Sequence, residues 1–300
     1  TGLKEITPQV FTLYSMDDEA MQAKLWAAPH EKNTDVNQSE VVIAVGLPGG
    51  HTENFKIVQY DMMESELASK YAYIRTFYGI STINSLKRIR IDYTLHGFRA
   101  VIKAPGENKI FIDHYQRGDK NTRIIYFKND YKKTYNWGCN FVEEAGMHGD
   151  HQSGSRIGDC QLRSYRLAQA TTGEYSSYHG ASNSSQSGLV MTAVVNVINR
   201  INEVYEAEVA VRLILINNTD QVFYYNSVTD GYANNGSSSD LSANQTNCTS
   251  VIGSSNYDIG HVFGTGDGGI AGLGVVCNNN SKAQGYTGRP MPVGDPFTID

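Results

Sequence analysis

No stretch of this 300-residue sequence approaches the ~18–20 consecutive apolar residues that a membrane-spanning helix needs, so no span is expected. Blocks of lysine and arginine are also missing, and the formal net charge is −6. Nucleic acid, whose binding rests on neutralising phosphates, is therefore not an expected partner. Cysteine is scarce, at positions 139, 160, 248 and 277, and no two form the CxxC pair of a structural zinc site. Four cysteines permit three pairings, and spacing alone does not choose among them. Lysine nearly vanishes from the second half, where Lys282 is the last of 13. No charged-then-apolar leader is present and the chain opens on Thr1, which reads as a processed form that leaves room for a removed signal peptide.

Hydrophobic residues make up 40% of the chain, with 19 Tyr and 10 Phe, enough to build packed cores and to exclude a wholly disordered chain. The length suits two domains. Residues 1–158 balance 19 Lys/Arg against 19 Asp/Glu, whereas 159–300 hold 6 against 12 and include the Ser/Asn/Gly-rich stretches 176–188 and 226–250. Two parts with different surface chemistry follow, the second compatible with an extracellular setting.

In the first part, short β-branched or aromatic runs at 41–47, 55–59, 89–93, 98–103, 109–114 and 122–128 predict strands. Helices are expected at 17–27 and 64–77. Nothing here gathers a nucleophile, a base and an orienting group. Residues 143–158 carry four glycines and no periodicity, the pattern of a linker. His148 and His151 would share a helical face as metal ligands, but Gly146, Gly149 and Gly154 favour a solvated loop instead.

The second part predicts a strand at 161–171, then a helix at 189–206. In that helix Val190, Val194, Val197, Ile201 and Val204 form an apolar stripe. A buried strand at 209–216 completes a βαβ unit. The polar stretch 226–250 reads as a long decoration. Two strands, 257–263 and 270–277, flank the tight glycine-rich loop 264–269. Gly272 and Gly274 leave the second strand little side-chain cover, as an edge that accepts an extended peptide by β-addition would have. His261, alone in its strand, is expected to be a packed, hydrogen-bonded residue rather than a metal ligand.

The order YDIGHVF…GGIAGLGVVC…KAQGYTG…GDPFTID over 257–300 resembles the metzincin zinc peptidases, in particular the bacterial secreted reprolysin (adamalysin)-like proteases. The upstream LRSYRLAQATTGEYSSYHG is similar to the first strand of their catalytic domain. The resemblance implies an α+β pro-region-like domain at 1–142, a linker at 143–158, and at 159–300 the N-terminal, upper subdomain of an α/β metzincin-type catalytic domain. That subdomain is a mixed twisted sheet with a long covering helix. The implied activity is hydrolysis of protein substrates by a secreted or cell-surface zinc metalloendopeptidase. In that family a segment like GDPFTID leads into HExxHxxGxxH, which holds the zinc and supplies the general base. No HExxH occurs in this sequence. Zinc is thus expected in the full-length enzyme and not in this chain, with a C-terminal catalytic segment as a further partner.

The resemblance also assigns a substrate-binding rim to Gly272, Leu273, Gly274, Val275 and Val276, lying antiparallel to an extended peptide or protein substrate. It offers Cys139 or Cys160 as a latency thiol that fills the open position on zinc, and leaves the choice between them open. If 257–263 and 270–277 are neighbours, Cys248 and Cys277 can pair and close a loop of about 30 residues, worth ~3–4 kcal/mol in the chain-entropy model. Against this pairing stands the family's habit of bonding a cysteine at the Cys277 position to the lower subdomain. Two other readings remain: a non-catalytic peptide-binding module, and an inhibitory or chaperoning fragment.

Overall fold

Alternation of apolar and polar side chains shapes the N-terminal half into a curled antiparallel sheet. The computed structural model describes residues 2–132, 138–142, 161–294 and 297–298. The strands of the first sheet are β1 (Thr12–Ser15), β2 (Val42–Gly46), β3 (Thr52–Tyr60), β4 (Arg75–Ser81), β5 (Arg88–Thr94), β6 (Gly97–Lys103), β7 (Ile110–His114) and β8 (Thr122–Phe127). Their spatial order, β1-β8-β7-β6-β5-β4-β3-β2, is a meander whose last strand receives β1. The sheet curls until its ends meet, and a Cβ on Gly46 of β2 would stand 2.7 Å from the Tyr14 ring of β1. Phe55, Ile57, Phe77, Ile89, Ile91, Phe98, Ile102 and Ile112 fill the inside of the curl. Helix α1 (Asp18–Trp26) plugs one end, capped by the Asp17 carboxylate, which accepts from the Ala20 N–H, and anchored by buried Leu25.

The helix expected at 64–77 is corrected. Only α2 (Ser65–Lys70) is helical, and 75–81 is β4, hydrogen-bonded between β3 and β5. Helix-forming residues dominate up to Lys70, but Thr76, Phe77 and Ile80 fit the pleat, and two neighbouring ladders outweigh local propensity.

The second sheet contains β9 (Cys139–Val142), β10 (Arg163–Thr171), β11 (Val211–Leu215), β12 (Ile259–Gly264), β13 (Gly268–Gly272) and β14 (Gly285–Gly288), in the order β11-β10-β12-β14-β13-β9. After β10 come α3 (Gly173–Tyr178) and α4 (Ser187–Val209), and β11 returns parallel to β10, forming the βαβ unit. The stretch 226–250 is not a loop throughout, because α5 (Ser238–Asn247) occupies much of it. Its first turn is a capping box, with the Ser237 side chain and the Asp240 carboxylate serving each other's backbone N–H. The expected linker 143–158, with His148 and His151, lies outside the described residues.

Helix α4 lies between the two sheets. Its apolar stripe, Val190, Val194, Val197 and Ile198 with Met191, packs into the core shared with Leu167, Leu213, Leu215 and Phe263. The opposite face is polar and equally buried. Asn196 and Asn199 donate to Asp92 at 3.2–3.3 Å, and Arg200 pairs with Asp113 at 2.7 Å. Glu203 and Glu206 meet Lys109 and Arg90 at 3.0 and 2.7 Å. The curled sheet thus presents the outer face of its strands β5, β6 and β7 to the helix. It also touches the free side of β11, where the Leu215 N–H donates to Met62 O and the Glu64 N–H to Leu215 O, both at 2.8 Å.

Candidate functional site

The edge of the second sheet is built from a loop that side chains of ordinary size would prevent. After β12 the chain runs through Gly264, Thr265, Gly266, Asp267, Gly268 and Gly269 into β13. A Cβ on Gly266 would overlap the carbonyl oxygen of Asn234, and Gly268 sits at φ 104°. Asn234 is the clasp. Its Oδ1 accepts from the N–H groups of Thr265 (2.8 Å) and Gly266 (3.0 Å), and its Nδ2 donates to Thr265 Oγ1 (2.8 Å). Asn234 itself is held at φ 51°. Beneath it, the fully buried Asp240 carboxylate accepts the backbone N–H groups of Ala233, Asn234, Asn235 and Gly236 at 2.8–3.0 Å. A cap at the start of α5 therefore fixes the loop that fixes the edge. Sequence reasoning passed over both residues, although the Ser237-x-x-Asp240 capping pattern was there to be read.

The edge is shorter than expected. Of the five rim residues, Gly272 ends β13, whereas Leu273, Gly274, Val275 and Val276 lie in the turns that follow. Gly274 at φ 69° and Cys277 at φ 62° take the backbone out of extended geometry, and Val275 folds back to 8% exposure. Leu273 and Val276 remain exposed.

Nor is the edge open. β14 pairs antiparallel with one side of β13, and β9 pairs parallel with the other, in the register Gly269↔Cys139, Ile270↔Asn140, Ala271↔Phe141 and Gly272↔Val142. The Gly269 N–H donates to Gly138 O at 3.0 Å. Cys139, exposed, opens this strand, while Cys160 lies outside the described residues.

Between α4 and the face of the sheet behind this edge is a cleft of about 730 Å³. Leu167, Val197, Ile201, Leu213 and Phe263 make its walls apolar. His261 is the one histidine, cysteine or carboxylate side chain among the described residues lining it. The ring is packed, as expected, with Nε2 on Thr287 Oγ1 at 3.1 Å, and a Cβ on Gly285 would stand 2.7 Å from it. Its Nδ1 is buried without a partner, and burial pushes its pKa down to about 4. No group of three or more His, Cys, Asp or Glu side chains able to hold a metal exists among the described residues. They do not fit a catalytic zinc.

The expected Cys248–Cys277 bridge is not formed. Cys248 turns into the core, fully buried, with its Sγ 3.7 Å from Asn244 Oδ1 and its pKa pushed by burial to about 12. Cys277 is exposed after the turn, its N–H donating to Asp258 O at 3.0 Å. One thiol faces inward and the other outward.

Residues 162–299, which contain the whole of this edge except β9, match the family model Reprolysin_4, described as Metallo-peptidase family M12B Reprolysin-like. The match supports a metallopeptidase-type domain, of a zinc-dependent family, for that portion of the chain, and the mixed sheet with its helices is compatible with it. No curated protein matches the sequence.

Proposed function

We propose that the chain is a latent part of a secreted zinc metalloendopeptidase: a pro-region followed by the upper, substrate-binding subdomain of the catalytic domain. The observation that carries this reading is the parallel pairing of β9 with β13. Backbone N–H and C=O groups of a sheet edge hold an extended peptide with little regard for its sequence. By the family resemblance a substrate runs antiparallel to this edge. A strand from the N-terminal half occupies it in the opposite direction, so it takes the hydrogen bonds of a substrate without presenting a peptide bond in the productive orientation. Cys139 enters at the head of that strand, which favours it over Cys160 as the latency thiol. The binding edge is Gly268–Gly272, shifted by four residues from the 272–276 rim. The apolar cleft behind it is where the remainder of a catalytic domain would pack. The zinc ligands of the family belong to that remainder. Secretion is supported by the charge-poor, Asn/Ser/Gly-rich surface of the second part.

The test uses the 300-residue chain with Asn140→Pro and Val142→Pro, which remove two N–H donors from β9. Amide exchange at 268–272 should accelerate, and the chain should gain affinity for extended peptides over the parent. Fast exchange at these amides in the parent chain would show the edge to be open and sink the latency reading. The gene sequence beyond Asp300 tests the peptidase itself: a chain continuing without HExxH would leave a peptide-binding module instead.

A further inference from the structure

A bond that only a neutral histidine can make, within the curled sheet, aims one of its arginines at α4. Arg99 on β6 donates its Nε–H to Nδ1 of His114, at the end of β7, at 2.9 Å. A guanidinium has donors and no acceptor, so this contact requires a lone pair on Nδ1. The same guanidinium donates through Nη1 to Oδ1 of Asn196 on α4 at 2.8 Å, and Asn196 in turn donates to Asp92 on β5. His114 is buried, and its Nε2 has no partner. The Nδ1 lone pair is thus committed to Arg99, and that bond aims Arg99 at the helix.

We propose that His114 is a pH-sensitive latch between the N-terminal sheet and helix α4: a proton on Nδ1 removes the acceptor of Arg99, sets a second cation beside it, and releases its grip on Asn196.

The charges facing His114 make protonation costly while the latch is closed. Burial, then Arg99 from β6, Arg123 from β8 and the His96 ring from the β5–β6 turn hold its pKa well below the ordinary 6.5, against the smaller upward pull of the His96 backbone. The His96 ring stands edge-on to it at 5.8 Å between centroids, and burial and Arg99 push that ring to about 4. From the segment after α3, His179 is lowered to about 3 by burial and Arg117. Asp113, the neighbour on β7, is committed to Arg200 of α4 and lies 3.8 Å from Arg99. On α4 itself the group reached through Arg99 is the uncharged Asn196. Asp92, raised by burial, gains a proton more readily in the closed state and works in the opposite sense. For His114 the sign is fixed: the open state binds the proton better, so closure is complete above about pH 6.5 and weakens as pH falls below it. The latch does not depend on the peptidase reading. Combined with it, acid would loosen the half of the chain that carries β9.

Hydrogen exchange of the α4 amides, corrected for intrinsic rates, tests this at about pH 7.5 and pH 5.5. Protection should fall by up to about tenfold per pH unit below 6.5 in the parent chain, the limit for one coupled proton. His114→Asn keeps an oxygen near the Nδ1 position and cannot titrate, so its helix should lose up to about tenfold less protection than the parent over the same range, the response of His96 and His179 being common to both chains. Parallel losses in the parent and His114→Asn would overturn the latch, as would a parent helix indifferent to pH. Imidazole ¹⁵N shifts of the parent chain decide it without any variant: Nδ1 should be unprotonated at neutral pH, and a proton found there overturns the proposal.

Discussion

At the scale of single residues, the molecule relies on a few buried polar groups with many partners. Asp240 accepts four backbone N–H groups at 2.8–3.0 Å and through them places Asn234 over the glycine loop. Asp240→Ala leaves those donors in a fully buried place, and its expected cost is roughly 2–4 kcal/mol, read as a shift in the denaturant midpoint. The exchange of β13 amides should rise in the same variant, because the clasp fails with the cap. A loss no larger than a surface substitution would mean that water replaces the carboxylate. Cys248 and Cys277 give a second test. In native protein a thiol reagent should label Cys277 and leave Cys248 untouched until unfolding, a contrast of about a hundredfold or more in rate. A cystine peptide joining the two would contradict the inward and outward orientations. No hydropathy pattern separates these cysteines; their difference arises from the turn that Gly274 and Cys277 make at positive φ.

At the scale of elements, α4 shows how far periodicity reaches. Its apolar stripe at Val190, Val194, Val197 and Ile201 is readable from spacing alone and lies in the shared core or lines the cleft beside it, as a helix packed on a sheet requires. The polar face reads as solvated by the same logic and is instead buried, with Asn196, Asn199 and Arg200 no more than 7% exposed. Charges that pair across 87 residues leave no local signal. Burial opposes the Asp113 carboxylate, but Arg200, Arg99 and the Tyr126 hydroxyl outweigh it and hold its pKa below the usual value. Asp113→Ala strands Arg200 and should cost about 3–5 kcal/mol by denaturant unfolding. Replacing both partners with leucine and methionine should recover most of that loss, since the desolvation of the pair disappears with it. A double variant as unstable as the single one would show that the pair contributes more than its own desolvation cost. The segment 64–77 failed for a related reason: helix formers specify α2, and only the ladders of β3 and β5 convert 75–81 into a strand.

For the molecule as a whole, spacing and composition were enough for six of the eight strands of the first sheet, the βαβ unit and the glycine loop, whereas the strand after that loop, read as an open edge, is paired on both sides. These depend on neighbours a few residues apart, where a side chain's shape and polarity act directly on its own backbone. What the chain could not announce in advance is which surfaces meet. β9 on β13 joins residues about 130 apart, Asn196 on Asp92 spans 104, and the Leu215 edge finds Met62. A strand edge offers the same N–H and C=O groups to any extended partner, so the pairing that covers it follows from folding of the rest of the chain and not from the edge's own residues. His114 carries the same lesson. Its neutral state is written nowhere in the sequence around it, and follows from the low-dielectric place and the guanidinium that the packed sheets bring to it.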